Sequence, residues 1–321
     1  MRKDKKKIFI TGASGFVGRH WCKKLLTEGN TVYAIDLKKT YKDLLEFNNF
    51  HFYKRSVFDY KLVQRLVKKT DVTCHFAGIA SPNEYLYNTH KVIDLTVNPS
   101  LKIIEYCNRF KKKLFFTSTS EIYGKSYKLP FFENDDRLLG STSTKRWCYS
   151  TSKALVEHSI FANLNKKKGS FIIFRLFNVY GKGLEGRVVD GFIGNALKNK
   201  NLKIYGTGKQ TRSFLYIDDC IEIFYRIFRK KNLENQVVNI GNNKETSIKK
   251  LATLIIELTK SKSKINYIKM NSKNKMKRSG YEDISRRVPS IIRQKKITKY
   301  SPKISLRMGL KKFITDYKKE I

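Results

Sequence analysis

Thr11-Gly12-Ala13-Ser14-Gly15-Phe16-Val17-Gly18 is the stretch on which the reading of this chain turns. It separates an apolar run, Lys7-Ile8-Phe9-Ile10, from a segment over 16–26 whose apolar residues recur at helical spacing, so the order is strand, tight turn, helix. Gly12 and Gly15 carry no Cβ to obstruct a diphosphate approaching the N–H groups that open the helix, and Gly18 lets helix and strand pack closely. A glycine triplet alone is often only a tight turn. Here a second apolar run, Thr31-Val32-Tyr33-Ala34-Ile35, follows and ends in Asp36. That carboxylate comes about 20 residues past the glycines, where it meets ribose hydroxyls. The pattern predicts a dinucleotide site with Gly12, Gly15, Phe16, Val17, Gly18 and Asp36 as contacts. Lys38 and Lys39 could meet a 2′-phosphate, but Asp36 would repel one, so NAD is favoured over NADP.

Outward from this turn the strand and helix patterns keep alternating. A strand over 50–54 leads to Val57-Phe58-Asp59; there Asp59, with Val57, either reaches the adenine or caps a helix over 60–69. A strand over 71–76 ends in Ala77-Gly78-Ile79-Ala80-Ser81-Pro82, small residues at a carboxyl strand end, where an open parallel sheet holds its ligands; Ala77 and Ala80 are counted as cofactor contacts. A helix over 95–110 and a strand over 114–117 follow. The expected fold class is α/β, a doubly wound parallel (Rossmann) sheet with a smaller mixed α/β substrate lobe. Past Asn178 the rhythm changes to helices over 188–199, 218–230, 246–258 and 306–317, extended pieces over 202–205 and 212–217, and a strand over 237–240 expected to rejoin the main sheet. Thr246 or Ser247 opens the 246–258 helix, and the lysine-rich 271–278 run reads as a mobile loop. The domains are read as 1–177 for the dinucleotide and 178–321 for the substrate lobe, interleaved.

The 321 residues carry 67 basic and 27 acidic side chains, a net charge of +40. Such a balance suggests nucleic acid or an anionic surface. The lysines, however, are spread in short runs (5–7, 111–113, 166–168, 230–231), and Lys, Asn, Ile, Phe and Tyr are abundant together, as a coding-sequence bias would give. Solvated lysine faces are therefore the favoured reading, and nucleic acid an unfavoured partner. The five cysteines, Cys22, Cys74, Cys107, Cys148 and Cys220, form no C-x-x-C pair and mostly sit in apolar stretches, which points to free thiols in a reducing compartment. The histidines show no ligand spacing, so no metal is expected. No signal-peptide pattern and no run of membrane-spanning length appear, and the reading is cytoplasmic.

Two segments carry the chemistry. Thr117-Ser118-Thr119-Ser120-Glu121-Ile122-Tyr123-Gly124 follows a central strand, and Tyr149-Ser150-Thr151-Ser152-Lys153 falls early in a helix. Residues four apart share a helix face, so the Lys153 ammonium is expected beside the Tyr149 phenol, lowering its pKa and favouring phenolate. A phenolate so placed takes a proton from a sugar hydroxyl while hydride leaves for NAD.

With these residues in view, the chain resembles an extended short-chain dehydrogenase/reductase of the NAD-dependent nucleotide-sugar epimerase/dehydratase family, from Lys7 to the last helix. The resemblance implies a catalytic triad of Thr119, Tyr149 and Lys153. Arg175-Leu176-Phe177-Asn178-Val179-Tyr180-Gly181 is similar to the family's substrate-diphosphate segment, with Asn178 as contact and Lys182 where a proline usually stands. Tyr205-Gly206-Thr207-Gly208-Lys209-Gln210-Thr211-Arg212 is similar to its nucleotide-sugar clamp, which implies Tyr205, Gln210 and Arg212 as contacts, together with Arg187. Ala80-Ser81-Pro82-Asn83-Glu84-Tyr85, the Ser120-Glu121 pair, Arg146-Trp147-Cys148-Tyr149 and the tail Gly280-Tyr281-Glu282-Asp283 with Arg286-Arg287 resemble the UDP-glucuronate decarboxylases. This implies Pro82 and Tyr85 as substrate contacts, Ser120 and Glu121 as catalytic, and Arg287 as catalytic and facing the substrate carboxylate. It also implies a homodimer through the helices over 95–110 and 149–164. A 4,6-dehydratase, in which Glu121 takes the carbon 5 proton and water leaves from carbon 6, a 4-epimerase, and an NAD-bound RNA-binding protein without catalysis stay open as alternatives.

Overall fold

The computed structural model describes residues 5–164, 169–269 and 284–319. The 271–278 run and the Gly280–Asp283 part of the tail lie outside the described residues. The first half alternates β1 (Lys7–Thr11), α1 (Phe16–Thr27), β2 (Thr31–Asp36), α2 (Lys42–Leu45), β3 (Phe50–Lys54), α3 (Tyr60–Lys69), β4 (Val72–His75), α4 (Pro82–Tyr87), α5 (Thr89–Arg109), β5 (Lys113–Thr119), α6 (Trp147–Asn163) and β6 (Ser170–Leu176). The second half runs β7 (Val179–Tyr180), α7 (Val188–Leu197), β8 (Leu202–Tyr205), β9 (Thr211–Ser213), β10 (Leu215–Tyr216), α8 (Ile217–Phe228), β11 (Gln236–Ile240), β12 (Glu245–Ser247), α9 (Ile248–Thr259), β13 (Ile265–Ile268), α10 (Ile292–Thr298) and α11 (Leu306–Lys318).

Seven parallel strands form one sheet in the order β11-β6-β5-β4-β1-β2-β3. Side-chain alternation along β1 sets the layers. Ile8 and Ile10 pack to one face with Trp21, Cys22 and Leu25 of α1 and Phe224 of α8. Phe9 packs to the other with Leu62 and Val63 of α3, Ile103 and Cys107 of α5, and Val156 and Ile160 of α6. With both faces covered, strands such as Leu114-Phe115-Phe116 read as continuous apolar runs. The order reverses between β1 and β4, which makes the gap above their carboxyl ends the natural ligand crevice.

The lobe is assembled from two-stranded pieces, β7 with β10, β9 with β12 and β8 with β13, carried by α7, α9 and α11. Asp219 of α8 ties the C-terminal segment to it, accepting from Tyr300 Oη at 2.6 Å and from the Lys303 and Ile304 N–H groups. All five cysteines are free thiols, four of them buried. Among the described residues no helix is long and apolar enough to cross a membrane.

Several local expectations need correction. The helix expected to begin at 95 begins at Thr89 and carries Pro99 inside it, preceded by α4, a short helix started by Pro82. The strand expected over 212–217 is two pieces, β9 and β10, with different partners on either side of Phe214. The 246–258 helix starts at Ile248, with Ser247 as its cap accepting from the Lys250 N–H, while Thr246 sits in β12.

Candidate active site

The glycine turn has the shape a diphosphate requires. Gly12 sits at φ +73°, and a Cβ there would lie 2.6 Å from the Ala77 nitrogen. A Cβ on Gly18 would lie 2.0 Å from the Gly12 carbonyl oxygen, so any side chain would push α1 off β1. Gly15 is the N-cap of α1 and offers no side chain to the helix's first N–H groups, which leaves them to an anion. Asp36 closes the rim: its carboxylate accepts from the Ser14 N–H at 3.0 Å and the Lys38 N–H at 2.9 Å. These residues fit a dinucleotide. Asp59 caps α3 by accepting from the Leu62 N–H at 3.2 Å, the second of its two expected roles, and Val57 is buried with Leu62 and Ile35 in the core.

From this turn the backbone leads directly to the Tyr/Lys pair. Gly12 abuts Ala77, and a Cβ on the next residue, Gly78, would come within 3.7 Å of Lys153 Nζ. Tyr149 and Lys153 lie on α6 and are buried. Lys153 Nζ donates to the Thr117 carbonyl at 2.7 Å, and the Thr119 side chain acts on Tyr149 to lower its pKa. The depressed phenol expected from helical spacing is not found. Burial pushes Tyr149 up to about 12; the Arg187 charge and the Thr119 side chain oppose that, while the Glu121 charge adds to it. Lys153 is instead pulled down to about 7 by burial, with Glu157 opposing. Spacing alone weighed the pair's mutual attraction and left out the desolvation that both groups undergo at once.

Glu121 follows Thr119, which caps the 3₁₀ turn Ser120–Tyr123 by accepting from the Glu121 N–H at 3.2 Å. Ser150 of α6 locks the same turn by donating to the Glu121 carbonyl at 2.8 Å. Glu121 is held between two guanidinium groups: Arg146 Nη2 at 3.1 Å from Oε2, and Arg287 Nη1 at 2.9 Å from Oε1. Burial alone would raise its carboxyl, but Arg287 and Arg146, with Arg187 farther off, hold it at about 2. Arg287 is delivered by a segment pinned at Thr211 N–H to Ser285 O and at Phe131 N–H to Val288 O. It is buried, and its Nε has no hydrogen-bond partner among the described residues.

Tyr85 lies face to face with Tyr149, centroids 4.7 Å apart, and is buried. Arg187 N-caps α7, and its charge acts on Tyr85, Tyr149 and Glu121. Thr119, Ser120, Glu121, Tyr149, Lys153, Arg287, Tyr85 and Arg187 are thus gathered at one place. Pro82 starts α4, with Ala80 exposed just before it. The expected clamp residues gather around their own turn: Gln210 Nε2 donates to the Tyr205 carbonyl and Arg212 Nη1 to the Thr211 carbonyl. Asn178, at φ +33°, donates Nδ2 to the Ser213 carbonyl at 3.0 Å. The Lys182 carbonyl accepts from His20 Nε2 of α1 at 2.9 Å.

Two residues were missed as site members. Arg146 precedes α6 and stood in a quoted motif, but only the fold reveals its bond to Glu121. His75 ends β4, buried. Its Nδ1 lies 2.6 Å from Thr11 Oγ1, which itself accepts from the Ala77 N–H. Its Nε2 lies 2.9 Å from Ser100 Oγ, which donates onward to the Thr96 carbonyl. These bonds select the neutral Nε2–H tautomer, and burial together with the Lys153 charge holds the ring near a pKa of about 3.

The description "NAD dependent epimerase/dehydratase family" matches residues 8–241. The chain is 35% identical over 335 residues to the bifunctional polymyxin resistance protein ArnA of Wigglesworthia glossinidia brevipalpis, covering 97% of this chain but about half, 51%, of that relative's length. It is 34% identical over 318 residues to UDP-N-acetyl-alpha-D-glucosaminuronate decarboxylase of Bacillus cytotoxicus, covering 97% of each. Among solved structures, a tyrosine-to-phenylalanine variant of UDP-glucuronic acid 4-epimerase from Bacillus cereus, with UDP-4-deoxy-4-fluoro-glucuronic acid and NAD, superposes with a TM-score of 0.87 at 25% identity, over 98% of this chain and 100% of that one. Turn, sheet order and match together place this chain in the NAD-dependent epimerase/dehydratase family.

Proposed function

We propose that the protein decarboxylates a nucleotide-linked uronic acid after oxidation at carbon 4, with UDP-glucuronate or its N-acetylglucosamine counterpart as substrate. The observation that carries this reading is the buried Arg146–Glu121–Arg287 group beside Tyr149, in which Arg287 keeps an Nε without a hydrogen-bond partner among the described residues and so suits a substrate carboxylate. The names of the two relatives above support it.

Gly12, Gly15, Gly18 and Asp36 would hold the NAD, which when bound accepts hydride from the sugar. In this reading Tyr149 Oη takes the proton from the carbon 4 hydroxyl, with Thr119 on the same oxygen. Lys153 supplies positive charge one helical turn away. A ketone at carbon 4 makes the carboxylate on carbon 5 a β-keto acid. Its bond to carbon 5 breaks, carbon dioxide leaves, and the electron pair enters the ketone as an enolate held by Tyr149 and Thr119. Arg287 anchors the carboxylate beforehand. Glu121, held ionised near neutrality by its arginines, has no proton to give, so its part is to orient Arg287, while the Ser120 hydroxyl gives its proton to carbon 5 and is reprotonated from water.

The test is incubation of the protein and NAD with UDP-glucuronate, UDP-N-acetylglucosaminuronate, UDP-glucose and dTDP-glucose, with products weighed by mass spectrometry. Loss of carbon dioxide from a uronate is the expected result. Loss of water would mean a dehydratase, and a new isomer of unchanged mass a 4-epimerase. Tyr149→Phe is expected to lower turnover by roughly 10²–10⁴-fold with NAD affinity kept; turnover at the parent rate would refute the assignment of Tyr149 as acid/base.

A further inference from the structure

Lysine runs that are far apart in sequence do not stay apart in the fold. Lys6 precedes β1, Lys111 and Lys113 stand at the entry to β5, and Lys230 and Lys231 follow α8, yet all five line one crevice of about 310 Å³ at the amino ends of the strands. Its acidic members are Asp71, which accepts from the Lys7 N–H at 2.8 Å, and Glu234. Five lysines thus line the crevice together with two acidic residues. Among the described residues, Lys6, Lys111, Lys113 and Lys230 form no ion pair.

Two of the lysines are held in place rather than left waving in water. Lys6 Nζ stands 5.6 Å from the Phe228 ring centroid and Lys113 Nζ 5.7 Å from that of Phe115, both buried rings. Lys113 Nζ also donates to the Leu233 carbonyl at 2.5 Å. Burial lowers its pKa; Glu234 works against that and the Lys6 charge with it, so the two ammonium groups repel one another across the crevice. Like charges gathered at a concave site are relieved by a ligand of opposite charge.

We propose that this crevice binds a small, multiply charged phosphate anion, the class that includes diphosphate, triphosphate and the phosphate tail of a nucleotide. The volume admits a short oligophosphate, whereas a bilayer or a duplex presents its phosphates on a broad surface that reaches into no such recess. The site is separate from the active centre. Lys113 opens β5 and Thr119 closes it, and at about 3.3 Å per residue the strand sets them roughly 20 Å apart.

The test uses the full chain saturated with NAD and titrated with inorganic triphosphate by calorimetry, while lysine acylation is mapped by mass spectrometry. Saturable binding at one site, weakened by added salt, with selective protection of Lys6, Lys113, Lys230 and Lys231, is the expected result. Lys230→Glu with Lys231→Glu, both exposed, should weaken binding by at least about tenfold at unchanged melting temperature, and Lys113→Met should weaken it independently. The proposal is overturned by the absence of saturable binding, by protection spread evenly over the surface lysines, or by protection centred on the glycine turn. It is overturned equally if a single-stranded RNA oligomer displaces triphosphate at lower concentration than triphosphate itself needs, which would make the partner a nucleic acid.

Discussion

Two buried carboxylate–guanidinium groups flank α6, and they are built differently. Near the end of the helix Glu157 meets Arg175 of β6: both oxygens accept from Nε, at 3.1 and 3.3 Å, and Oε2 accepts from Nη2 at 2.6 Å. Arg175 Nη1 then donates to Tyr123 Oη and to the Glu133 carbonyl, and Tyr123 Oη donates to Asn239 Oδ1. All three guanidinium nitrogens are used and the charges match one to one. At the start of the helix Glu121 serves two arginines, and Arg287 keeps an unpartnered Nε. The first group is closed and structural. The second leaves a guanidinium donor open near Tyr149 among the described residues, the arrangement of a group that can take an anion.

The comparison is broken most readily by removing one arginine from each group. Arg175→Met leaves Glu157 buried without a counter-charge and should cost about 3–5 kcal/mol of stability. Arg287→Met leaves Glu121 paired with Arg146 and should cost only about 1 kcal/mol, while turnover of a uronate falls at least about 100-fold. Equal losses in chemical denaturation would show that the two groups do not differ.

Acid sharpens the contrast. Glu121 is held below the ordinary carboxyl value, so its contribution is complete above about pH 4.3 and is lost as pH falls through about 2. The stability gap between the parent and Glu121→Gln should therefore narrow by on the order of 2 kcal/mol between pH 5 and pH 2.

The smallest effect concerns Lys153, on the same helix between the two groups. Its folded pKa of about 7 lies below the ordinary lysine value of about 10.4, so the unfolded chain holds the extra proton between those values and parent stability rises with pH across them. Lys153→Met should raise the melting temperature by roughly 3 °C at pH 7, a gain that shrinks by pH 10; a pH-independent gain would mean that the ammonium is not the source of the cost.

Much of this was legible in the chain. The glycine turn, the alternating apolar runs and the strand that returns at 236–240 are local signals, because each depends on side-chain period or on a missing Cβ. The split at Phe214 was not, since β9 and β10 differ only in the partners they find across the fold. The early start of α5 was not legible either, since Asn88 opens it with no side-chain cap hydrogen bond. At the site, the placement of Tyr149 and Lys153 one turn apart on α6 follows from a four-residue spacing. The meeting of Arg287 with Glu121 spans 166 residues and is set by loop contacts at Thr211 and Phe131 that no local pattern encodes.

The strand β11 has one more consequence, for how the molecule is made. It supplies the outermost pairing of the seven-stranded sheet, against β6, yet it arrives from beyond the whole first part of the lobe. Until the ribosome has released it, a nascent chain displays the bare edge of β6, a row of backbone donors and acceptors ready to join any neighbouring strand. Shortened versions ending near residue 177 keep that edge open for good, and aggregation rather than an isolated working half is what they should yield.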